Sequence, residues 1–557
     1  MKRILSGILT ILDHREKIKL ANLILFDLVM GVLDVGFLFL VLVVINFYTK
    51  NESTTTIPFL PAAFTNKNSL LLISVFVVLF GLKNFLGYLN TKWQNKFFYD
   101  VSSRLSKRNI QNYLKDDYLR FVNIDSSVLI RRISQQPIEF SHYILTNFQQ
   151  VISQSILILF TITGILFYHP GLFFLLFLLL LPPVVLLGHF IRNKLKAIRD
   201  NTKITSQKTI QYLQESLSGY MESNIYHKDD FFINRYYTHQ LQLNNNIGTQ
   251  QTLQGLTSRL VEVFAILGFF ILVAINKLSV NTPVVSMLTI GIFMAASYKI
   301  IPGVVKILNS MGQIKTYQFT LADLQPADDV PITKTKEQAE PIKSVVFEQV
   351  KFKYKDQNIL NGINFEIQQG DFIGLSAKSG KGKTTVIHLL LGFLKHHEGN
   401  ILINDKKTTW IDRQGYWSRI SYVKQQPFII NDTLLKNITL TDDAPNADKL
   451  ADVIAFCSID NITAQYPEGI NKFIKENGKN ISGGQRQRIM LARALYHDFD
   501  LLILDEAFSE MDEVAEKSIL AKLKLLAKQG KMIILITHKK SSLYICDKTI
   551  SLDEEYA

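Results

Sequence analysis

The segment FIGLSAKSGKGKTT, residues 372–385, decides the reading of this chain. A short β-type run ends in a loop of small residues, and the loop enters a helix expected over Thr384–Leu391. Backbone N–H groups of such a loop cradle phosphates, and the helix N-terminus adds a favourable dipole. At this spacing Lys383 reaches the β- and γ-phosphates of a nucleoside triphosphate, and the Thr384 hydroxyl can ligate magnesium. The pattern for such loops is G-x-x-x-x-G-K-[ST]. Here Ala377 holds the first glycine position, while Gly380 and Gly382 remain. A methyl group is tolerated there if the backbone stays out of the left-handed region. The loop alone leaves open a chance small-residue turn.

Two further segments point the same way. LLILDE, residues 501–506, is an apolar run ending in two carboxylates. A buried strand that delivers Asp505 at its end can hold magnesium through water. Glu506 beside it can polarise an attacking water as a general base. Between the two lies ISGGQRQR, residues 481–488, a serine and two glycines ahead of a helix expected over Arg486–Leu495. That is another phosphate-ready helix N-terminus.

In this order the motifs resemble those of an ABC transporter subunit with its membrane domain fused ahead of its ATPase domain. ISGGQ resembles the LSGGQ signature, with Ile481 for leucine. The resemblance implies that Ser482, Gly483, Gly484 and Gln485 cap, in trans, the ATP held by the loop of a second copy. It implies that Ala377, Lys378, Ser379, Gly380, Lys381, Gly382, Lys383, Thr384 and Thr385 form that loop. Tyr354 in FKYKD resembles the aromatic that stacks on adenine. Gln425 in YVKQQPF resembles the glutamine that senses the γ-phosphate, and joins Thr384 and Asp505 as a candidate magnesium ligand. His538 in ILITHKK resembles the switch histidine at the γ-phosphate. Ser509-Glu510-Met511-Asp512 resembles the D-loop, although Glu-Met replaces the more usual Ala-Leu. The implied cofactors are ATP and Mg2+, with Glu506, His538 and Gln425 as catalytic residues, and the implied assembly is a homodimer. Alone, His538 or Tyr354 reads as an ordinary strand-end or surface residue; only their order reverses that.

The expected architecture is an α-helical transmembrane domain of six spans, 1–315, a polar linker, 316–342, and an α/β P-loop ATPase domain, 343–557. The apolar segments before residue 310 are about 20–47, 69–90, 141–167, 171–191, 259–276 and 283–306. Each can reach the roughly 20 residues that cross a bilayer as a helix. Pro182-Pro183 should kink the fourth. The stretches 91–138 and 192–257 are rich in Lys and Arg, whereas the loop 48–67 has only Lys50 and Lys67. The positive-inside rule then places both termini and both long loops in the cytoplasm, and the resemblance implies a multi-pass protein of a bacterial cytoplasmic membrane with its ATPase domain on the same side. The long loops read as helical extensions of the spans, with tips near 117–131 and 220–235 that contact the ATPase domain.

Of the 557 residues, 47% are hydrophobic and 20% charged, a balance that suits a membrane part joined to a soluble one. The net charge of +13 raises nucleic-acid binding, but the basic residues concentrate in loops between apolar segments, which argues against it. Cys457 and Cys546 both fall in the soluble half, so no disulfide framework is expected. Asp34, Lys83, Arg259, Glu262 and Lys299 lie within the spans. A charge in hydrocarbon costs at least about 2.5 kcal/mol, so these should pair or face a cavity. One reading is an internal ion pair, Asp34 with Lys83. The other is a polar translocation cavity whose cations face an anionic substrate. GVLDVGFLFLVLVVINF, FGLKNFLGY, RLVEVFAILGFF and AASYKIIPGVVKIL most resemble the spans of bacterial lipid-linked oligosaccharide flippases. That resemblance implies a substrate carrying a pyrophosphate. Export of another lipid, a peptide or a drug, or an ATP-gated regulator, stays open.

Overall fold

The structure, a computed structural model, describes residues 2–49, 71–115, 118, 122, 124–168, 186, 189–190, 194, 198, 201–278, 287–325, 339–355, 357–376 and 381–552. It divides into two compact units, Met1–Lys115 with Asn123–Val330, and Asp116–Val122 with Pro331–Ala557.

The first unit is helical. Helix α1 (Lys2–Ile11) buries Ile4, Ile8 and Ile11 and exposes Leu5 and Leu9, a one-sided pattern at helical spacing. Helices α2 (His14–Thr49) and α3 (Leu71–Lys115) run far beyond a single bilayer crossing. Their junction is tied where Arg104 Nε donates to Glu16 Oε1 at 2.6 Å. Before α4 (Thr146–Tyr168), α turns alternate with π turns at Arg131–Gln135 and Phe140–Leu145. Pro137 between them lacks an N–H, and the wider turns absorb the broken ladder. A short helix α5 (Tyr220–Ile225) precedes the 50-residue α6 (Asp229–Leu278). Helix α7 (Met287–Thr316) contains Pro302 and leads to α8 (Phe319–Asp323).

Among the described residues three helices are long and apolar enough to cross a membrane: His14–Phe37, Leu71–Lys115 and Ser126–Thr163. The fifth expected span is the C-terminal half of α6, and the sixth falls in α7 from Met287 onward. The fourth, 171–191 with its proline pair, and the loop 48–67 lie almost entirely outside the described residues. The start of the polar stretch 316–342 is folded: Tyr317, Leu321 and Leu324 are buried with Phe97, Leu105 and Phe140.

Among the described residues the second unit holds three sheets, one a two-stranded pairing of Asp432–Thr433 with Phe473–Ile474 and two larger ones. Strands β1 (Ser344–Tyr354), β2 (Gln357–Gln368), β4 (Glu398–Ile403) and β5 (Lys406–Lys407) form an antiparallel sheet in the order β2-β1-β4-β5. Strands β3 (Phe372–Ser376), β6 (Ile420–Val423), β7 (Leu501–Asp505), β8 (Met532–Ile536) and β9 (Lys548–Ser551) form a parallel sheet in the order β9-β3-β8-β7-β6. Both faces of the central strands β8 and β7 are covered, which is why they are apolar almost throughout, whereas the edge strand β9 is half exposed and carries Lys548 and Thr549. Leu501, Ile503, Ile534 and Ile536 face one core, shared with β1 and helix α9 (Lys383–Leu390). Leu502, Leu504, Ile533 and Leu535 face the other, shared with helix α10 (Gly483–Tyr496) and helix α11 (Glu513–Lys528).

Candidate functional site

In a parallel sheet, ligands sit beyond the carboxyl ends of the strands. Here three adjacent strands, β3, β8 and β7, aim their ends at one place. Lys383 follows β3, His538 follows β8 and Glu506 follows β7. The Lys383 ammonium donates to His538 Nε2 at 2.6 Å and lies 3.8 Å from Glu506 Oε1. Glu506 Oε1 is 3.1 Å from His538 Nε2, and its Oε2 accepts from Gln425 Nε2 at 2.8 Å. Residues up to 155 positions apart therefore share one polar cluster.

The backbone at Glu506 is unusual. Its φ is +50°, in the left-handed region that non-glycine residues seldom adopt. Such a residue costs on the order of 1–3 kcal/mol and persists where the surroundings over-determine it. Here β7 is fully buried up to Asp505, and the Glu506 N–H donates to Ile536 O at 2.9 Å on the neighbouring strand. The chain must turn sharply there, and the turn lifts the Glu506 carboxylate onto Gln425 and His538.

The expected phosphate loop is described from Lys381 onward; Ala377, Lys378, Ser379 and Gly380 lie outside the described residues. Gly382 has φ +91°, and a Cβ there would stand 2.7 Å from Leu360 and 3.0 Å from Ile359. Glycine is thus required twice over, by conformation and by the approach of β2. The helix begins at Lys383, one residue before the expected start, and buries Lys383 and Thr385 while leaving Thr384 exposed.

The residues fit a magnesium ion. Thr384 hydroxyl, Gln425 carboxamide and Asp505 carboxylate are hard oxygen donors of the kind Mg2+ takes. Burial raises the Asp505 carboxyl above the ordinary carboxylate range and the adjacent Glu506 adds to this, while the Tyr422 hydroxyl, donating at 3.2 Å, and the Lys383 charge pull it down. A buried carboxylate held up in this way gains most from a divalent cation. Tyr422 was not singled out from sequence; its place two residues before Lys424-Gln425 on the strand next to β7 is the signal that marks it.

Tyr354, at the end of β1, is 44% exposed and meets Phe352 edge-on at 4.8 Å. It leaves a ring face available for stacking. Ser482 caps α10 through a reciprocal capping box with Gln485, at 3.3 and 3.0 Å, so the helix starts at Gly483, three residues before the expected Arg486. No hydrogen bond of Ser482 or Gln485 reaches the Lys383 cluster among the described residues. The second unit also takes in residues 116–122, and within it Tyr118 packs on His388 and Phe393 at 4.9 and 4.8 Å.

In the first unit, Lys83 Nζ pairs with Asp34, at side-chain exposures of 13% and 31%, and lies 5.1 Å from the Phe80 ring centre. Arg259 and Glu262 are exposed on α6; Lys299 lies on α7, but its side chain is outside the described residues. In sequence Asp27 is a span carboxylate seven residues before Asp34 on the same helix face, expected to pair or face a cavity. Its carboxylate accepts from Asn90 at 3.0 Å, Gln94 at 3.2 Å, Gln149 at 3.5 Å and from Ser153, tying α2 to α3 and α4. Gln150 Oε1 accepts from Ser310 at 3.1 Å, so these amides join helices to one another.

The Asp34–Lys83 pair makes a separable prediction. Lys83→Met should destabilise the protein by about 2 kcal/mol by removing the cation beside a half-buried carboxylate, and Asp34→Asn added to it should restore most of the loss. Thermal unfolding in detergent reads both; a Tm unmoved by Lys83→Met would show that the pair holds nothing.

Comparison with known proteins follows the same division. The ABC transporter family model matches residues 360–509. The ATP-dependent lipid A-core flippase of Paraburkholderia xenovorans (strain LB400) is 25% identical over 480 residues, 84% of this chain and 78% of that protein. A putative export ATP-binding/permease protein of Rickettsia bellii (strain RML369-C) is 36% identical over 214 residues, 38% of this chain and 37% of that protein. Among solved structures, a bacterial Atm1-family ABC exporter with ATP bound matches with a TM-score of 0.77 at 19% identity, over 97% of this chain and 93% of that one. That last likeness is one of fold.

Proposed function

We propose that this chain, an ABC transporter ATPase domain fused to an exporter-type membrane domain whose ATP hydrolysis is coupled to transport, acts as a homodimeric flippase for an anionic glycolipid in a bacterial cytoplasmic membrane. A lipid-linked oligosaccharide is the first reading of that substrate. The observation that carries the glycolipid class is the length of the match to a lipid A-core flippase. Its 480 aligned residues exceed the unit Pro331–Ala557, so it runs into the membrane helices. The same match favours a second reading, a glycolipid of the lipid A-core type.

Two features support a second copy. Ser482 stands apart from the Lys383 cluster, as a group serving another copy's triphosphate would. Around α5, Tyr220, Met221, Ile225 and Tyr226 are each about 70% exposed, an uncovered apolar tip of the kind that marks a protein contact. Within the second unit, Tyr118 packs on Phe393. Closure of two ATPase units then moves the helices attached to them.

At the nucleotide, each residue has a derived task. Lys383 leaves His538 for the β- and γ-phosphates, exchanging a neutral acceptor for anionic ones. Glu506, freed from the ammonium, accepts a proton from the attacking water at a carboxylate oxygen. Gln425 and His538 hold that water and the γ-phosphate in line. Thr384, Gln425 and Asp505 would hold Mg2+, which neutralises charge on the bridging phosphates. Tyr354 stacks on the base.

The test is ATPase activity in proteoliposomes with lipid-linked oligosaccharide, lipid A-core or a hydrophobic drug. Stimulation by a glycolipid, with no response to the drug, is expected. Stimulation by the drug alone would overturn the substrate class.

A further inference from the structure

The loop after β7, Ser509-Glu510-Met511-Asp512, carries a charge where the family it resembles more usually has alanine. Gln487 of α10 fixes that loop. Its Nε2 donates to Ser509 Oγ at 2.7 Å, and its Oε1 accepts from the Glu510 N–H at 2.9 Å. The Glu510 side chain is thereby laid across the start of α10. A Cβ on Gly483 would fall on the Glu510 carboxylate, and one on Gly484 would stand 3.0 Å from the Glu510 carbonyl oxygen.

That helix start is an anion-binding surface by construction. The helix is 14 residues long and is capped by Ser482. Among the described residues, no protein acceptor takes the N–H of Gly483 or Gly484. These two open donors lie at the positive end of the helix dipole, and the Glu510 carboxylate lies against Gly483 beside them without accepting from either. Glu510 has a second place to go. Arg486 Nη2 already donates to Glu510 Oε2 at 3.3 Å, and the buried Arg486 Nε beside it has no partner among the described residues, so the second donor is still to be taken. A small swing off Gly483 would give the carboxylate two parallel donors on one guanidinium.

We propose that Glu510 is a charge gate on the signature helix, which competes with the incoming γ-phosphate and sets the ATP concentration at which two copies close. The inference rests on the reading that Ser482, Gly483 and Gly484 of one copy face the triphosphate held by the other. A triphosphate approaching these donors meets a like charge beside them, against Gly483. Closure requires the carboxylate to turn off Gly483 and fully onto the Arg486 guanidinium it already touches, and that requirement raises the ATP level needed.

Glu510→Gln removes the charge and keeps the size and an acceptor for Arg486. Its apparent KM for ATP should fall about threefold to tenfold at low salt, with kcat changed less. The difference from the parent should shrink as ionic strength rises and the repulsion is screened. Glu510→Ala should shift KM in the same direction. A structural role for Glu510 would lower kcat instead, without salt dependence. An unchanged or raised KM in Glu510→Gln, or a shift indifferent to salt, overturns the gate. Glu506→Gln measured alongside separates the two ideas. If it retains ATP in dimers while Glu510→Gln changes nothing, the gate falls and the shared site stands. If it retains no ATP, the shared site falls and the gate with it.

Discussion

Replacing Glu506 by glutamine is expected to lower kcat for ATP by about a hundredfold to ten-thousandfold while leaving ATP bound between two copies. Glutamine preserves the shape and can still meet Gln425, which now donates to Glu506 Oε2 at 2.8 Å. What it loses is the ability to take a proton from water. The left-handed backbone at residue 506 is no harder for glutamine than for glutamate, so the fold should hold and Tm should change little. Steady-state ATPase activity and the ATP retained after gel filtration read the two halves of the effect. Unchanged turnover would remove Glu506 from the role of base.

Lys383→Ala should act earlier, at binding. Lys383 is 9% exposed, and its ammonium lies 2.6 Å from His538 Nε2 and 3.8 Å from Glu506 Oε1. Removing it deletes the cation that charge-assisted bonds to the phosphates require, in a site where water cannot replace it well. The affinity for ATP should fall about a hundredfold or more. Stabilisation by ATP in a thermal shift, which follows the ratio of ligand to Kd, should vanish at concentrations that protect the parent protein. An ATP-dependent shift equal to the parent's would contradict the placement of Lys383 on the phosphates.

The clustering of Lys383, Glu506 and His538 was legible in the sequence because each lies in the segment that follows a strand. Lys383, Glu506 and His538 are scattered over the chain, yet the order β3-β8-β7 sets their strand ends side by side. Short motifs mark such ends because a loop there must both turn and bind. The backbone strain at Glu506 was not legible, since it depends on the bond to Ile536 across the sheet. Nor was the contact of Glu510 with Gly483, which arises where two loops meet through Gln487. In the helical unit the difficulty is different. Helix α2 is apolar nearly all round, so its sequence shows no buried face, and Asp27 looked like one of two span carboxylates. Its partners Asn90, Gln94, Gln149 and Ser153 come from two other helices. The alternation of α and π turns around Pro137 likewise has no signature beyond the proline itself.

Joining the lysine of one copy to the serine-glycine turn of the other can be tested by mixing two inactive chains. Lys383→Ala and Ser482→Arg should each abolish ATPase activity alone, because every site in either homodimer carries one defect. Co-expressed with different tags and purified through both, the mixed dimer has one doubly damaged site and one intact site. Recovery of ATPase activity, up to roughly half of the parent dimer's if the sites act independently, is the predicted result. Mixed dimers as inactive as either parent variant would place both residues in the same copy's site and contradict the account.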